Sequence, residues 1–192
     1  MRLKKLLFAS FAIAFSGLSG CVDQAAAPRS EQPAYFDVPG FINKQIAVLE
    51  KEPVSLQKTV GLEGEKPETR IVKNPEWTTE LELFREIDLN KKALAGSYTQ
   101  TKTLLPKGEK LLYTLNPDIT APIVSLEIRK NKLDQVTDLQ AVYEQKNTLF
   151  YNREIRTLKT NSQRKITAYQ ISGVQKVLLF DSLAYRVSSM LP

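Results

Sequence analysis

The chain has 192 residues, 27 Lys and Arg against 21 Asp and Glu, a formal net charge of +6, one cysteine and no histidine. Without histidine, every imidazole-based acid–base, triad or metal mechanism is excluded. Setting aside Arg2, Lys4 and Lys5 leaves 24 basic residues against 21 acidic ones, with no clustered basic run, so nucleic acid is not an expected partner.

The chain opens with those three positive residues. An apolar stretch from Leu6 to Phe15 follows, then Ser16-Gly17-Leu18-Ser19-Gly20 and Cys21. Charge, apolar run and small residues in that order make a signal peptide. The run is about ten residues long, where a spanning helix needs roughly 20. Leu18-Ser19-Gly20-Cys21 resembles the lipobox of bacterial lipoproteins. That resemblance covers residues 1–21 and implies cleavage between Gly20 and Cys21, with diacylglyceryl transfer to the Cys21 thiol and usually acylation, as by palmitate, of the new amine. The two or three acyl chains so attached would hold the protein stably at a membrane, where a single chain is marginal. Asp directly after the cysteine marks inner-membrane retention in some lipoproteins. Val22 lacks that feature, and the resemblance then implies the outer membrane, facing the periplasm.

Residues 21–36 carry no sustained apolar period and are expected to be a lipidated tether, spanning roughly 20 Å if flexible. One domain is expected over 37–192. A helix is predicted from Pro39 to Lys51, with Phe41, Ile42, Ile46 and Leu49 at helical spacing, Asp37 as N-cap and Pro53 as stop. Val54, Leu56, Val60 and Leu62 share one parity and predict a strand, with Thr69–Lys73 as its hairpin partner. Asn74-Pro75 predicts the start of a second helix, bearing Trp77, Leu81, Phe84 and Ile87 and ending near Asp88.

The remainder reads as consecutive strands: Tyr98–Leu105, Lys110–Asn116, Pro122–Lys130, Gln135–Lys146, Thr148–Lys159, Lys165–Ser172 and Val174–Val187. Asp181-Ser182 interrupts the last of these, and a β-bulge is expected there. Short links favour an antiparallel meander. The predicted fold is α+β: two short helices against a curved, mainly antiparallel sheet of about seven to nine strands, half-open or closed into a barrel. In strand and helix count alone it resembles the half-barrel carriers of lipoprotein and lipid transport, and fold analogy does not establish function.

No catalytic set emerges. Ser55 and Lys58, like Ser162 and Lys165, have Ser-x-x-Lys spacing, but a strand puts residues three apart on opposite faces. Glu76, Glu80, Glu82, Glu86 and Asp88 read as a solvated helix face; chelation of a hard cation by Glu82 and Glu86 is the sharper alternative. No carboxylate pair stands out among Asp134, Asp138, Glu144, Glu154 and Asp181. Neither a metal site nor a cofactor is expected. Tyr143, Phe150, Tyr151, Tyr169, Phe180 and Tyr185 are spread along the sheet. Core packing is their ordinary role; lining a cavity for a lipid-like ligand is the alternative. The expectation is therefore a non-catalytic accessory subunit docking an envelope protein, or else a carrier of a hydrophobic ligand in the concave face of its sheet.

Overall fold

The computed structural model describes residues 33–191. The signal peptide, Cys21 and the tether as far as Gln32 lie outside the described residues. The body begins at Pro33, earlier than the expected boundary at 37, because Tyr35 and Phe36 are already docked. The Tyr35 ring meets those of Tyr98 and Tyr113 edge-on at 5.6 and 5.8 Å. The Asn90 Oδ1 atom accepts from the Tyr35 N–H at 2.9 Å.

Asp37 ends this entry segment and caps helix α1 (Val38–Leu49), its carboxylate accepting the Gly40 N–H at 2.9 Å. The face carrying Val38, Ile42, Ile46 and Leu49 is buried. Strands β1 (Ser55–Leu62) and β2 (Glu68–Lys73) form the expected hairpin. The second expected helix is instead two single turns, α2 (Trp77–Glu80) and α3 (Glu82–Arg85). Asn74 does not cap it; it sits at φ 49 in the preceding turn. At Leu81, φ −105 and ψ 9, the spiral breaks: the Phe84 N–H donates to the Leu81 carbonyl, three residues back rather than four. A 3-10 turn (Lys92–Leu94) completes the connector.

Seven strands then run as a meander: β3 (Tyr98–Leu105), β4 (Gly108–Leu115), β5 (Ile123–Asn131), β6 (Val136–Lys146), β7 (Phe150–Thr160), β8 (Ile166–Val177) and β9 (Leu183–Met190). The last lies beside β1, giving the order β2-β1-β9-β8-β7-β6-β5-β4-β3, antiparallel throughout. Among the described residues this is one curved sheet of nine strands that does not close, with β2 and β3 as its edges. The β3–β4 turn depends on Gly108 at φ 151, where a β-carbon would collide with the Lys130 carbonyl of β5.

The region around Asp181 corrects the sequence reading. No strand starts at Val174; β8 continues through Gly173 to Val177, and Asp181-Ser182 belongs to the hairpin turn into β9, so no bulge exists there. The hydrophobicity of Val177-Leu178-Leu179-Phe180 hid a turn that the usual turn residues would have announced.

Cross-strand register defines two faces. One row reads Leu111, Ile128, Leu139, Leu158, Tyr169, Ser189 and Lys58 across β4 to β1. The next reads Tyr113, Leu126, Ala141, Arg156, Ile171, Val187 and Val60. The apolar members of these rows that are buried pack with Ile42, Trp77, Leu81 and Phe84 of the helices in one core. Phe84 meets Tyr169 edge-on at 5.8 Å. The helices thus fill one face of the sheet and leave the other uncovered.

Candidate functional site

The uncovered face carries an open groove of about 690 Å³ across β7, β8, β9 and β1. Ile155, Ser172 and Arg186 form one cross-strand row in it, and Arg153, Val174 and Ala184 the next. Pro67, from the end of the β1–β2 turn, stands 3.6 Å from where a Gly61 β-carbon would be and walls one side. Leu62 and Tyr151 complete a mostly apolar lining. Ile155 and Val174 are 39% and 41% exposed, unusual for β-branched residues central to a nine-stranded sheet.

Two guanidinium groups border this apolar floor. Arg153 is held by Glu144, Nη1 to Oε2 at 3.0 Å. Arg186 has no side-chain hydrogen bond or ion pair among the described residues. Thr59, Ser172 and Ser188 add hydroxyls. An occupant would therefore be apolar along its length with hydrogen-bonding or negative groups at its margins.

Beneath the groove, on the helix side, lies a buried polar network. The Arg156 guanidinium meets Glu154 at 2.7 Å, donates to the Leu83 carbonyl at 2.6 Å, and lies 4.5 Å from the centre of the Tyr143 ring. The other Glu154 oxygen accepts from the Tyr185 hydroxyl at 2.7 Å and from Asn152 at 2.9 Å. Burial alone would raise the Glu154 pKa. The hydrogen bonds from Asn152, Tyr185 and Arg156, with the arginine's charge, outweigh it and hold the carboxyl below its ordinary value. Burial, reinforced by the Glu154 carboxylate, raises the Tyr185 hydroxyl. Glu154 is thereby held as the carboxylate and Tyr185 as the neutral phenol at neutral pH. A second network joins Lys58 and Tyr169 to Glu80 of α2, at 2.8 and 2.5 Å.

The six aromatic residues considered from sequence do not converge. Tyr169 is in the core and Tyr143 lies against Arg156. Phe150 is half-buried opposite Val177, and Phe180 is 72% exposed in the β8–β9 turn. Of the six, Tyr151 lines the groove, and Tyr185 borders it while its hydroxyl is turned to Glu154 on the helix side. Sequence reasoning missed Ile155, Val174, Arg186 and Pro67. For Ile155 and Val174 the signal was present as an apolar residue on the strand parity opposite the core; Arg186 on β9 and Pro67 in the β1–β2 turn carried no such local signal.

Of the acidic helix residues, Glu80 is turned inward to Lys58, and Glu86 approaches Arg156 at 3.8 Å. Among the described residues no three His, Cys, Asp or Glu side chains cluster as a metal site. Ser55 lies on β1, and Lys58, on the opposite face, is engaged by Glu80. Ser162 lies in the β7–β8 turn, and Lys165 is bound to Glu52 at 2.6 Å. A further hollow of about 730 Å³, between α1 and the β5–β6 and β7–β8 turns, has a mixed polar lining. Two of its lysines are already paired, Lys130 with Asp134 and Lys165 with Glu52.

The chain matches no protein-family model and no curated protein sequence.

Proposed function

We propose that this is a non-catalytic accessory protein of the bacterial cell envelope, anchored by lipid on Cys21 at the outer membrane and facing the periplasm, that holds an apolar segment of a protein partner in the groove on its uncovered face. One observation carries the binding part: Ile155 and Val174, with Pro67 at one side, line an open groove on the sheet face turned away from the helices. An open groove admits an extended chain from the side, and Thr59, Ser172 and Ser188 offer hydroxyls at its margins. The anchor rests on Leu18-Ser19-Gly20-Cys21.

The test uses the full chain in its native host with a photo-cross-linking residue at Val174 and, as control, at Thr101 on β3. A single envelope protein cross-linked from Val174 and not from Thr101 is the expected result. A second reading, a carrier of a hydrophobic small molecule, is favoured by the groove volume, which falls within the range of about 300–1,000 Å³ typical of ligand pockets. Native mass spectrometry of the detergent-purified chain separates the two. A bound mass of several hundred daltons, lost on organic extraction and absent from Val174→Asp, would replace the partner reading with the carrier. Incorporation of labelled palmitate, abolished by Cys21→Ser, tests the anchor independently.

A further inference from the structure

Among the described residues the most exposed large apolar side chain, Leu179, stands at one end of the sheet with three other exposed apolar residues around it. Leu178, Leu179 and Phe180 are 52%, 94% and 72% exposed in consecutive positions of the β8–β9 turn. Leu149, 61% exposed, lies in the β6–β7 turn, and its carbonyl accepts the Leu178 N–H at 2.8 Å. The two turns are therefore stitched into one apex. Leu179 holds φ 70, a left-handed conformation that turns normally give to Gly or Asn. Leu179 and Phe180 thus project from the end of the fold, Leu179 in a disfavoured backbone state, with Leu178 half-exposed beside them.

Register places a collar directly below this apex. Lys146 pairs with Tyr151, and Tyr151 with Lys176, so two lysines flank one tyrosine across β6, β7 and β8. Neither lysine has a carboxylate partner among the described residues; the one carboxylate of the turn is Asp181. Aliphatic and phenyl groups at the tip, then an aromatic hydroxyl between two cations, is the order met on passing from hydrocarbon through the interface to anionic headgroups. Lysine stems can lie along apolar surface while their ammonium groups reach phosphate. A convex tip with a cationic collar fits a lipid surface better than the concave pocket of a protein, which would need carboxylates facing both lysines.

We infer that the joined β6–β7 and β8–β9 apex is a membrane-contacting tip, which dips Leu178, Leu179 and Phe180 into an anionic lipid surface while Lys146 and Lys176 engage its headgroups. This rests on the reading that Cys21 tethers the chain to that membrane, since a few side chains bind weakly unless the tether keeps them close. Contact at this end would set the groove, which shares Tyr151 with the collar, close to the lipid surface.

The experiment uses the full chain, expressed in a host that processes lipoproteins and reconstituted into vesicles of phosphatidylethanolamine and phosphatidylglycerol carrying mid-chain bromines. Trp77, the single tryptophan, is buried and gives a constant background. Leu179→Trp reports the apex. Leu133→Trp, in the β5–β6 turn at the opposite end of β6 and 75% exposed, is the control. The expected result is loss of emission and a blue shift for Leu179→Trp, with neither for Leu133→Trp. Protein that floats with the vesicles but shows no quenching at Leu179→Trp, or equal quenching at both positions, overturns the tip while leaving the anchor standing. Protein that does not float and carries an unmodified Cys21 overturns the anchor and the tip with it.

Discussion

Tyr185 lies across Gly173: a β-carbon built on Gly173 would stand 2.8 Å from both Cζ and the hydroxyl oxygen of the tyrosine. The two residues are cross-strand partners on β8 and β9, and the missing side chain of one makes room for the ring of the other. That placement lets the Tyr185 hydroxyl reach Glu154 on β7. Gly173→Ala should therefore displace the ring and break the Tyr185–Glu154 hydrogen bond, lowering stability by about 1–3 kcal/mol in urea unfolding. Tyr185→Leu removes the obstructing ring atoms. The double variant should cost less than the sum of the singles, and additive losses would show that the glycine serves another purpose.

The carboxylate that receives this bond is itself half of a buried pair. Arg156 is 3% exposed, and its charge is met by Glu154. Glu154→Gln leaves the buried guanidinium with only the exposed Glu86, 3.8 Å away, as counter-charge and should cost about 2–4 kcal/mol at neutral pH. Replacing both, Glu154→Leu with Arg156→Met, should cost less than the single change, because no uncompensated charge remains. Because the folded state holds the Glu154 carboxyl below its ordinary value, its contribution is present above the usual carboxylate range and is lost as pH falls through the folded pKa. An acid titration of stability should be shallower in Glu154→Gln than in the parent.

Tyrosines set the alkaline limit. Burial, with Tyr35 alongside, pushes the Tyr98 hydroxyl from 10.0 up to about 12, and that hydroxyl donates to the Ile123 carbonyl at 2.9 Å. Burial likewise raises Tyr113, Tyr169 and Tyr185. A phenol that holds its proton more tightly when folded contributes fully below its unfolded pKa. That contribution is lost as pH rises through the folded value. Thermal stability should thus hold to about pH 10 and fall steeply towards 12. Tyr98→Phe should cost about 1–2 kcal/mol at neutral pH, by orphaning the Ile123 carbonyl, yet lose less on alkalinisation. Parallel pH profiles for parent and variant would refute the assignment.

The strands were legible because alternation is written into them: Val124, Leu126 and Ile128, or Leu139, Ala141 and Tyr143, could belong to little else. The cap at Asp37 was legible for the same local reason, a short acceptor side chain ahead of an apolar stripe. What failed was information held at a distance. Nothing near Asn74 announces that the following helix will switch hydrogen-bond register at Leu81, with Glu80 held by Lys58 from β1. The β8–β9 turn was missed because Leu178, Leu179 and Phe180 are apolar, against every local rule for a turn. The groove was missed because the parity opposite the core was left to solvent or a cavity, with only aromatic residues singled out as lining. Ile155 and Val174 become a site only when β1 and Pro67, far earlier in the chain, are brought beside them.

That long-range construction supplies the most direct test of the groove. Ile155 and Val174 are already two-fifths exposed, so Ile155→Asp or Val174→Asp places a carboxylate in a position that reaches water and should cost about 1–2 kcal/mol, leaving the protein folded. The same change puts a charge in the apolar floor of the groove, where an occupant would have to desolvate it. Either variant should therefore lose the cross-linked partner or the bound ligand while it remains folded, with a cooperative melt, and its membrane fraction matches the parent. Substitution at Thr157 or Gln170, which also face away from the helices but lie outside the groove lining, should leave occupancy intact. If Ile155→Asp and Thr157→Asp reduce occupancy equally, the determinant is the whole face of the sheet and not the groove.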